Sequence, residues 1–322
     1  MKIAFTSCMS AHSFSNQPVW DEIAQAAPDV LVLLGDSIYL DAGGPYSSSG
    51  IQDLSAGEFA RYAHGRYRLQ ANQAAFKALV QRPSLSTYAI WDDHDFLWNN
   101  ACGADVQANP NWRDLAYPSR ALFAAWRTAL AQKFAPGSFP AAPPPWSSAT
   151  PAPGYTVQDL GGGVYLHLTD GRSFKKAHGK DAILGAAQMA ALTSQLQQAP
   201  AGAVHLLASG VVFEARHGES WLACKTEHTQ LLQLATQYKL LVLSGDIHDN
   251  NLATYETAPA SGRFLHEATA SGAAVRTAVT VGALQRNWGL LEIDSAKLSI
   301  RLSKSGAANY QGAIDRTSWK GM

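Results

Sequence analysis

The sequence predicts an α/β protein in which two β-sheets pack together with helices on their outer sides, and three observations carry that expectation. Runs such as Val30-Leu31-Val32-Leu33-Leu34 and Leu240-Leu241-Val242-Leu243 are apolar without alternation, as strands buried on both faces are. In the first half these runs alternate with helix-like segments, giving βα units. In the second half further strands follow the last helix, which suggests a second sheet. At 322 residues, 47% hydrophobic and 16% charged, the chain has the material for one large core.

The elements follow in order. Ile3–Ser7 reads as a strand and Pro18–Ala27 as a helix, with Asn16 or Ser15 as its N-cap. Asp29–Leu34 is the second strand. Ser and Gly content makes Gly43–Gly57 a loop. Ser55-Ala56-Gly57-Glu58 has capping-box spacing and opens a helix running to Asn72. Leu85–Trp91 is the third strand, Asn99–Pro118 reads as irregular and Ser119–Lys133 as helical. Pro136–Pro153 holds seven prolines, which regular structure does not accommodate, and reads as a surface excursion over the site. Gly161-Gly162-Gly163 within Val157–Thr169 predicts a hairpin. A helix over Gly185–Gln198 carries Met189, Leu192 and Leu196 on one side. Strand Val204–Ala208, helix Lys225–Tyr238 and strand Leu240–Ser244 follow, then strands at Phe264–Thr269, Leu290–Ile293 and Lys297–Leu302. No repeat interrupts this order, and residues 1–322 read as a single domain.

Charge narrows the function. The formal net charge is zero and no basic block tracks a nucleic acid, so a small anionic substrate is expected and no long polyanion. Cys8, Cys102 and Cys224 lack CxxC spacing, which argues against a disulfide framework or zinc ribbon. The chain opens directly on a strand and has no long apolar window, so it reads as soluble and cytoplasmic unless a leader was removed. Oligomeric state leaves no trace in the sequence.

Three strand ends carry the chemistry: Gly35-Asp36-Ser37-Ile38-Tyr39, Trp91-Asp92-Asp93-His94-Asp95 and Ser244-Gly245-Asp246-Ile247-His248. Open α/β sheets bind ligands at the carboxyl ends of their strands. Three carboxylates and an imidazole in four positions repel one another unless a cation sits among them. In extended backbone, Asp246 and His248 face one side and chelate one metal or two adjacent ones. Cys8 also ends a strand, and a thiolate and phenolate beside carboxylates suit a Lewis-acidic metal such as Fe(III). For Arg172 an ion pair with Asp170 and a contact to phosphate are equal alternatives.

Together with Cys8 and Asn99, these runs resemble the PhoD-type alkaline phosphatases of the calcineurin-like metallophosphoesterase superfamily. Leu168-Thr169-Asp170-Gly171-Arg172-Ser173, the helix from Gly185 and His266-Glu267-Ala268-Thr269-Ala270-Ser271-Gly272 resemble further family segments, so the likeness spans nearly the whole chain. The resemblance implies a four-layer αββα sandwich of two mixed β-sheets flanked by helices. It implies a phosphatase or phosphodiesterase acting on monoesters, diesters or both through metal-activated water. Carried over by position, Cys8, Asp36 and Tyr39 bind Fe(III), with Asp36 bridging to Ca(II) held by Asn99, Asp246 and His248. Manganese or zinc is the alternative metal. Asp93 takes the place of the asparagine in the superfamily's Gly-Asn-His motif. His94 takes that of the histidine, on the phosphoryl group or leaving oxygen, and in such a site Arg172, where it is not paired with Asp170, is the candidate substrate-binding residue. The chain departs from its relatives at Ser209-Gly210-Val211, which lacks a histidine common in other dinuclear members, and at Leu97-Trp98, which narrows the pocket. His217 reads as a solvent-facing loop residue.

Two rivals remain. Gly35-Asp36-Ser37 looks like the nucleophile block of a GDS-type serine esterase, but a strand and helix precede it and the expected Asp-x-x-His has become Asp246-Ile247-His248. A non-catalytic phosphate-binding relative is the other.

Overall fold

The computed structural model describes residues 1–176, 182–215, 219–278 and 281–321. His217 lies outside them. The strands are β1 (Lys2–Thr6), β2 (Val30–Leu34), β3 (Ser86–Ile90), β4 (Thr156–Gly161), β5 (Val164–Leu168), β6 (Val204–Ser209), β7 (Lys239–Ser244), β8 (Asn250–Glu256), β9 (Phe264–Ala270), β10 (Arg276–Ala278), β11 (Val281–Leu284), β12 (Asn287–Ile293), β13 (Lys297–Lys304) and β14 (Ala307–Asp315). The helices are α1 (Val19–Ala26), α2 (Ser48–Gln52), α3 (Ala56–Ala71), α4 (Ala74–Val80), α5 (Asp93–Phe96), α6 (Gly103–Ala108), α7 (Pro110–Ala131), α8 (Gly185–Gln198) and α9 (Lys225–Ala235).

Two mixed six-stranded sheets result, in orders β14-β13-β12-β1-β2-β3 and β4-β5-β6-β7-β9-β8. In the first, β1, β2 and β3 run parallel, and β12 joins β1 antiparallel. In the second, β5, β6, β7 and β9 run parallel between antiparallel edges. The period-2 alternation of side chains sorts each strand between two layers. Ile3, Phe5, Val32 and Leu34 meet Leu166, Leu206 and Leu243 between the sheets. Ala4, Leu31 and Leu33 face the other way, against Trp20, Phe59, Phe123 and Trp126 of the helices. On the far side, Leu207 and Val242 pack against Leu192 and Leu231. Three cores between four layers make the αββα sandwich. Among the described residues no helix is long and apolar enough to cross a membrane.

Several elements differ from expectation for local reasons. Helix α1 starts at Pro18 with no side-chain cap, so neither Asn16 nor Ser15 serves. The loop 43–57 contains the short α2, capped by Ser47. The segment 99–118 is largely helical, and α7 runs through Pro118. An internal proline costs a helix about 3 kcal/mol. Leu115, Leu122, Phe123, Trp126 and Leu130, all buried along α7, offset it. Leu97 and Trp98 do not narrow a pocket: both are buried in the helix-side core, with Trp98 edge-on to Trp112. Strand β14 was hidden because only Ile314 of its nine residues is buried. The proline-rich segment has no regular structure. Phe139 stacked on His64 and Thr150 accepting from Arg120 tie it to α3 and α7 rather than to the strand ends.

Candidate metal centre

The carboxyl ends of β1, β2 and β3 from one sheet and of β5 and β7 from the other converge. The loop after β1 is held between two others: Cys8 N–H donates to Gly35 O (3.2 Å) and Met9 N–H to Asp36 O (2.9 Å), while Ala274 N–H donates to Cys8 O (3.1 Å). After β1, β2 and β7 the chain then breaks sharply. Cys8, Asp36, Asp246 and His248 all have left-handed backbones, with φ of 62°, 52°, 70° and 52°. Such a conformation costs a non-glycine residue about 1–2 kcal/mol and concentrates at functional sites. Gly35, at φ 98°, leaves no room for a side chain, since a Cβ there would collide with that of Asp92. Gly210 is as tightly placed, since a Cβ on it would run into Asp92 Oδ1.

These breaks gather the ligating atoms into three overlapping groups, in each of which one atom per residue lies within 4.8 Å of the others. The first is Cys8, Asp36 and His248; the second Asp36, Asp93 and His94; the third Asp92, Asp93 and Asp246. Tyr39 joins the first, its hydroxyl donating to Asp36 Oδ2 (3.1 Å) and lying 2.9 Å from His248 Nε2. Cys8 Sγ lies 3.4 Å from Asp36 Oδ2 and 3.3 Å from Ser271 Oγ. Asp246 and His248 therefore do not share one face as extended neighbours would. Their left-handed turns send them to different groups, with His248 beside Cys8. Asn99 is exposed, and its backbone N–H donates to Asp41 Oδ2 at 2.8 Å.

The crowding of acids after Trp91 is resolved partly by an arginine. Arg172 is completely buried; its Nε meets Asp92 Oδ1 at 2.5 Å, its Nη1 meets Glu219 Oε2 at 2.6 Å and its Nη2 meets Asp93 Oδ1 at 3.8 Å. Lys175 pairs with the same Glu219. The guanidinium does not pair with Asp170, whose Oδ1 instead accepts from Trp91 Nε1 and from the backbone of Arg172 and Ser173. Asp95 turns away to accept from the Asp92 backbone N–H (3.2 Å) and the Tyr67 hydroxyl (3.4 Å).

Sequence reasoning missed Asp41 and Glu219. Asp41 Oδ1 lies 2.5 Å from His94 Nδ1 and its Oδ2 also accepts from Ser48 Oγ. The signal for Asp41 was its place five residues after Asp36; Glu219 had none.

Electrostatics marks the centre as one that wants cations. Burial pushes Asp36 well above the carboxylate range, helped by Cys8, and lifts Cys8 to about 11. Burial, then Asp92 and Asp93, raise Asp246 to about 7. Asp93 is the exception: burial raises it, but Arg172 and His94 outweigh that and hold it at about 2. Burial opposes charge on His94, yet Asp93, Asp36 and Asp41 carry it to about 10. Asp36 Oδ1 is buried without a hydrogen-bond partner, and such an atom costs about 1–3 kcal/mol unless something ligates it. The donor set fits metal: sulfur, phenol, imidazole and carboxylate on one side, carboxylates alone on the other.

A family model for PhoD-like phosphatases matches residues 3–311. A solved PhoD structure is 14% identical, covers 100% of this chain and 71% of its own, and superposes with a TM-score of 0.70. Lower likenesses include TT1561 of Thermus thermophilus, 11% identical over 94% of this chain and 97% of that one, with a TM-score of 0.36. Vps29 from Entamoeba histolytica complexed with zinc is 9% identical over 98% and 100%, with a TM-score of 0.37. No curated protein matches. The family match, running almost end to end over a sandwich of the same fold, means that this chain belongs to the PhoD-like phosphatases and is a metal-dependent hydrolase of phosphoric ester bonds.

Proposed function

We propose that Fe(III) and Ca(II) together serve this centre, and that its residues divide as follows. Cys8, Asp36 and Tyr39 hold the iron, and Asp246, Asn99 and Asp93 hold the calcium with Asp36 shared. His248 belongs with the iron, because its imidazole stands beside Cys8 and Asp36. The single observation that carries this reading is the chain of chemically distinct groups, in which Asp36 links the Cys8–His248 group to the Asp93–His94 group and Asp93 links that one to the all-carboxylate group of Asp92, Asp93 and Asp246. Thiolate and phenolate favour a strongly Lewis-acidic ion, whereas an all-oxygen set favours a hard one. Bound in this way, the metals acidify water and neutralise the phosphoryl oxygens of a monoester or diester.

The chain's own groups do the rest. Asp41 fixes His94 through Nδ1, which leaves Nε2 to deliver a proton to the departing alkoxide. Ser271 Oγ, 3.3 Å from Cys8 Sγ, and the backbone of the post-β9 loop hold the thiol in place. Arg172 acts on substrate only indirectly, by keeping Asp92 and Asp93 ionised.

Metal removal tests this. Protein stripped by chelation is expected to lose turnover of both a monoester and a diester, and to recover it with iron and calcium but with neither alone. Full turnover by metal-free protein would end the reading. A wide ester panel without turnover on the doubly loaded protein would favour the phosphate-binding module instead.

The serine esterase makes an opposite prediction. Ser37 is fully buried and its Oγ has no hydrogen-bond partner, while His248 is engaged with Tyr39 and with the Thr277 carbonyl. Among the described residues no base is hydrogen-bonded to the hydroxyl. Ser37→Ala is expected to keep kcat/KM within about threefold, against the loss of several orders that removal of a nucleophile causes. A phosphate or carboxylate ester assay on that variant decides between them.

A further inference from the structure

Where β3, the last strand of its sheet, meets α7 and the hairpin of β4 and β5, there is a cavity of about 420 Å³ that shares no residue with the metal centre. Its size suits a small organic ligand, for which pockets run to roughly 300–1,000 Å³. Its charge is one-sided. Arg127 and Lys133 line it, and among the described residues no carboxylate does. The Arg127 guanidinium makes one hydrogen bond, from Nη2 to Thr156 Oγ1 at 3.3 Å, and among the described residues no ion pair. Burial lowers its pKa despite the pull of Asp170. The oxygens of Asp170 are already taken by Trp91 Nε1 and by the backbone N–H groups of Gly154, Arg172 and Ser173. Lys133 Nζ donates to the carbonyls of Arg82 and Pro83, neither of which brings a charge to match.

A second observation points into the same space. Leu85 and Ala89 of β3 pack in the core with Trp126 and Leu130 of α7, so the alternation of the strand turns Thr87, between them, toward that helix. Thr87 is 8% exposed, and its Oγ1 has no hydrogen-bond partner although the residue lines the cavity. Buried polar atoms rarely stay unpaired, and each exception calls for an explanation. The backbone of Thr87 adds a donor. Ser86 N–H bonds to Asp29 O (2.9 Å), and in a parallel pair the next residue turns its N–H away from the partner strand, here to the open edge of the sheet.

A planar guanidinium without a counter-ion, beside a hydroxyl without a partner, matches the two oxygens of a carboxylate or the several of a phosphate. Leu85, Leu130 and Leu168 complete the walls and favour an apolar body behind that head. We propose that this cavity is a second ligand site, which binds a small organic oxyanion with its head on Arg127 and Thr87 and its body against the three leucines. The ligand is held there and not hydrolysed, so the proposal stands apart from the phosphoesterase reading above.

Benzoate is the probe, with neutral benzamide as the control for charge and inorganic phosphate as the control for the apolar body. Titrations followed by NMR are run on metal-loaded and on chelator-stripped protein, because metals at the centre would themselves attract an anion. Benzoate is expected to bind both forms with the same Kd, on the order of 1 mM for so small a ligand. Benzamide, and phosphate on the stripped protein, should bind about tenfold more weakly or worse. Arg127→Gln should weaken benzoate about tenfold or more, and Arg127→Lys by less, since an ammonium keeps the charge but loses the fork. Thr87→Val should weaken it about threefold while raising the melting temperature of the ligand-free protein, because a methyl group replaces an unpaired hydroxyl. That variant carries the test if Arg127→Gln fails to fold. Benzoate that does not bind, that leaves with the metals, that binds no better than benzamide, or that ignores both substitutions would overturn the proposal. Phosphate held by stripped protein as tightly as benzoate would overturn it in favour of a simple anion site.

Discussion

Asp36→Asn is expected to abolish turnover while leaving the fold intact, lowering kcat/KM by about 10³-fold or more and removing bound metal. Among the described residues Asp36 alone belongs to both the Cys8–His248 group and the Asp93–His94 group. An amide in its place keeps the shape but cannot supply the charge that two cations share. The backbone should tolerate the change, because asparagine is among the residues that accept the left-handed conformation that Asp36 adopts at φ 52°. Stability is expected to move the opposite way from activity. Burial and the nearby thiol push the Asp36 carboxyl far above its usual range, so in metal-free protein its charge opposes folding. A neutral amide removes that penalty. Metal-free Asp36→Asn should therefore unfold at the same temperature as its metal-free parent or higher, yet gain nothing when iron and calcium are added. Thermal melts with and without metal, alongside elemental analysis, read both halves. A variant that retains metal and a tenth of its activity would remove Asp36 from the centre.

What the sequence made legible follows from which physical signals are local. Buried parallel strands announce themselves as unbroken apolar runs, and β2 and β7 fall where those runs lie. The capping box at Ser55 and Glu58 placed α3 within a residue at either end, because both hydrogen bonds of that motif lie within one turn. Edge strand β14 carries no such signal: it exposes most of both its faces, and the sequence names no strand over it. At the centre, residue identities at the strand ends were visible, but their directions were not. Two-residue spacing suggested one face for Asp246 and His248, and only the φ angles show the chain folding back between them. Asp41 and Glu219 stayed hidden because their importance comes from partners 53 and 47 positions away, His94 and Arg172, and no local pattern encodes a partner at that distance.

Arg172→Gln is expected to damage the fold more than substrate affinity, and this separates an internal counter-ion from a phosphate-binding arginine. The guanidinium has no exposed surface and faces Asp92, Asp93 and Glu219; without it Lys175 beside Glu219 and His94 beside Asp93 are the cations left. Removing one partner from a buried ion network leaves uncompensated charge and costs about 3–5 kcal/mol. Urea unfolding of the metal-free variant should show that loss as a lower midpoint. The loss should also depend on pH with a definite sign. Asp92 is already raised to about 6 by burial against the pull of Arg172, and without the arginine it rises further. A carboxyl whose folded pKa exceeds its unfolded value binds protons more readily when folded, so folding is favoured in acid and penalised as the pH climbs through that pKa. The gap between parent and variant should therefore be narrower at pH 5.5 than at pH 8. Arg172→Lys should fall between the two, because a single ammonium cannot reach three carboxylates as the planar fork does. If Arg172→Gln instead unfolds at the parent's urea concentration while KM for phosphoester rises about tenfold, the side chain faces substrate after all.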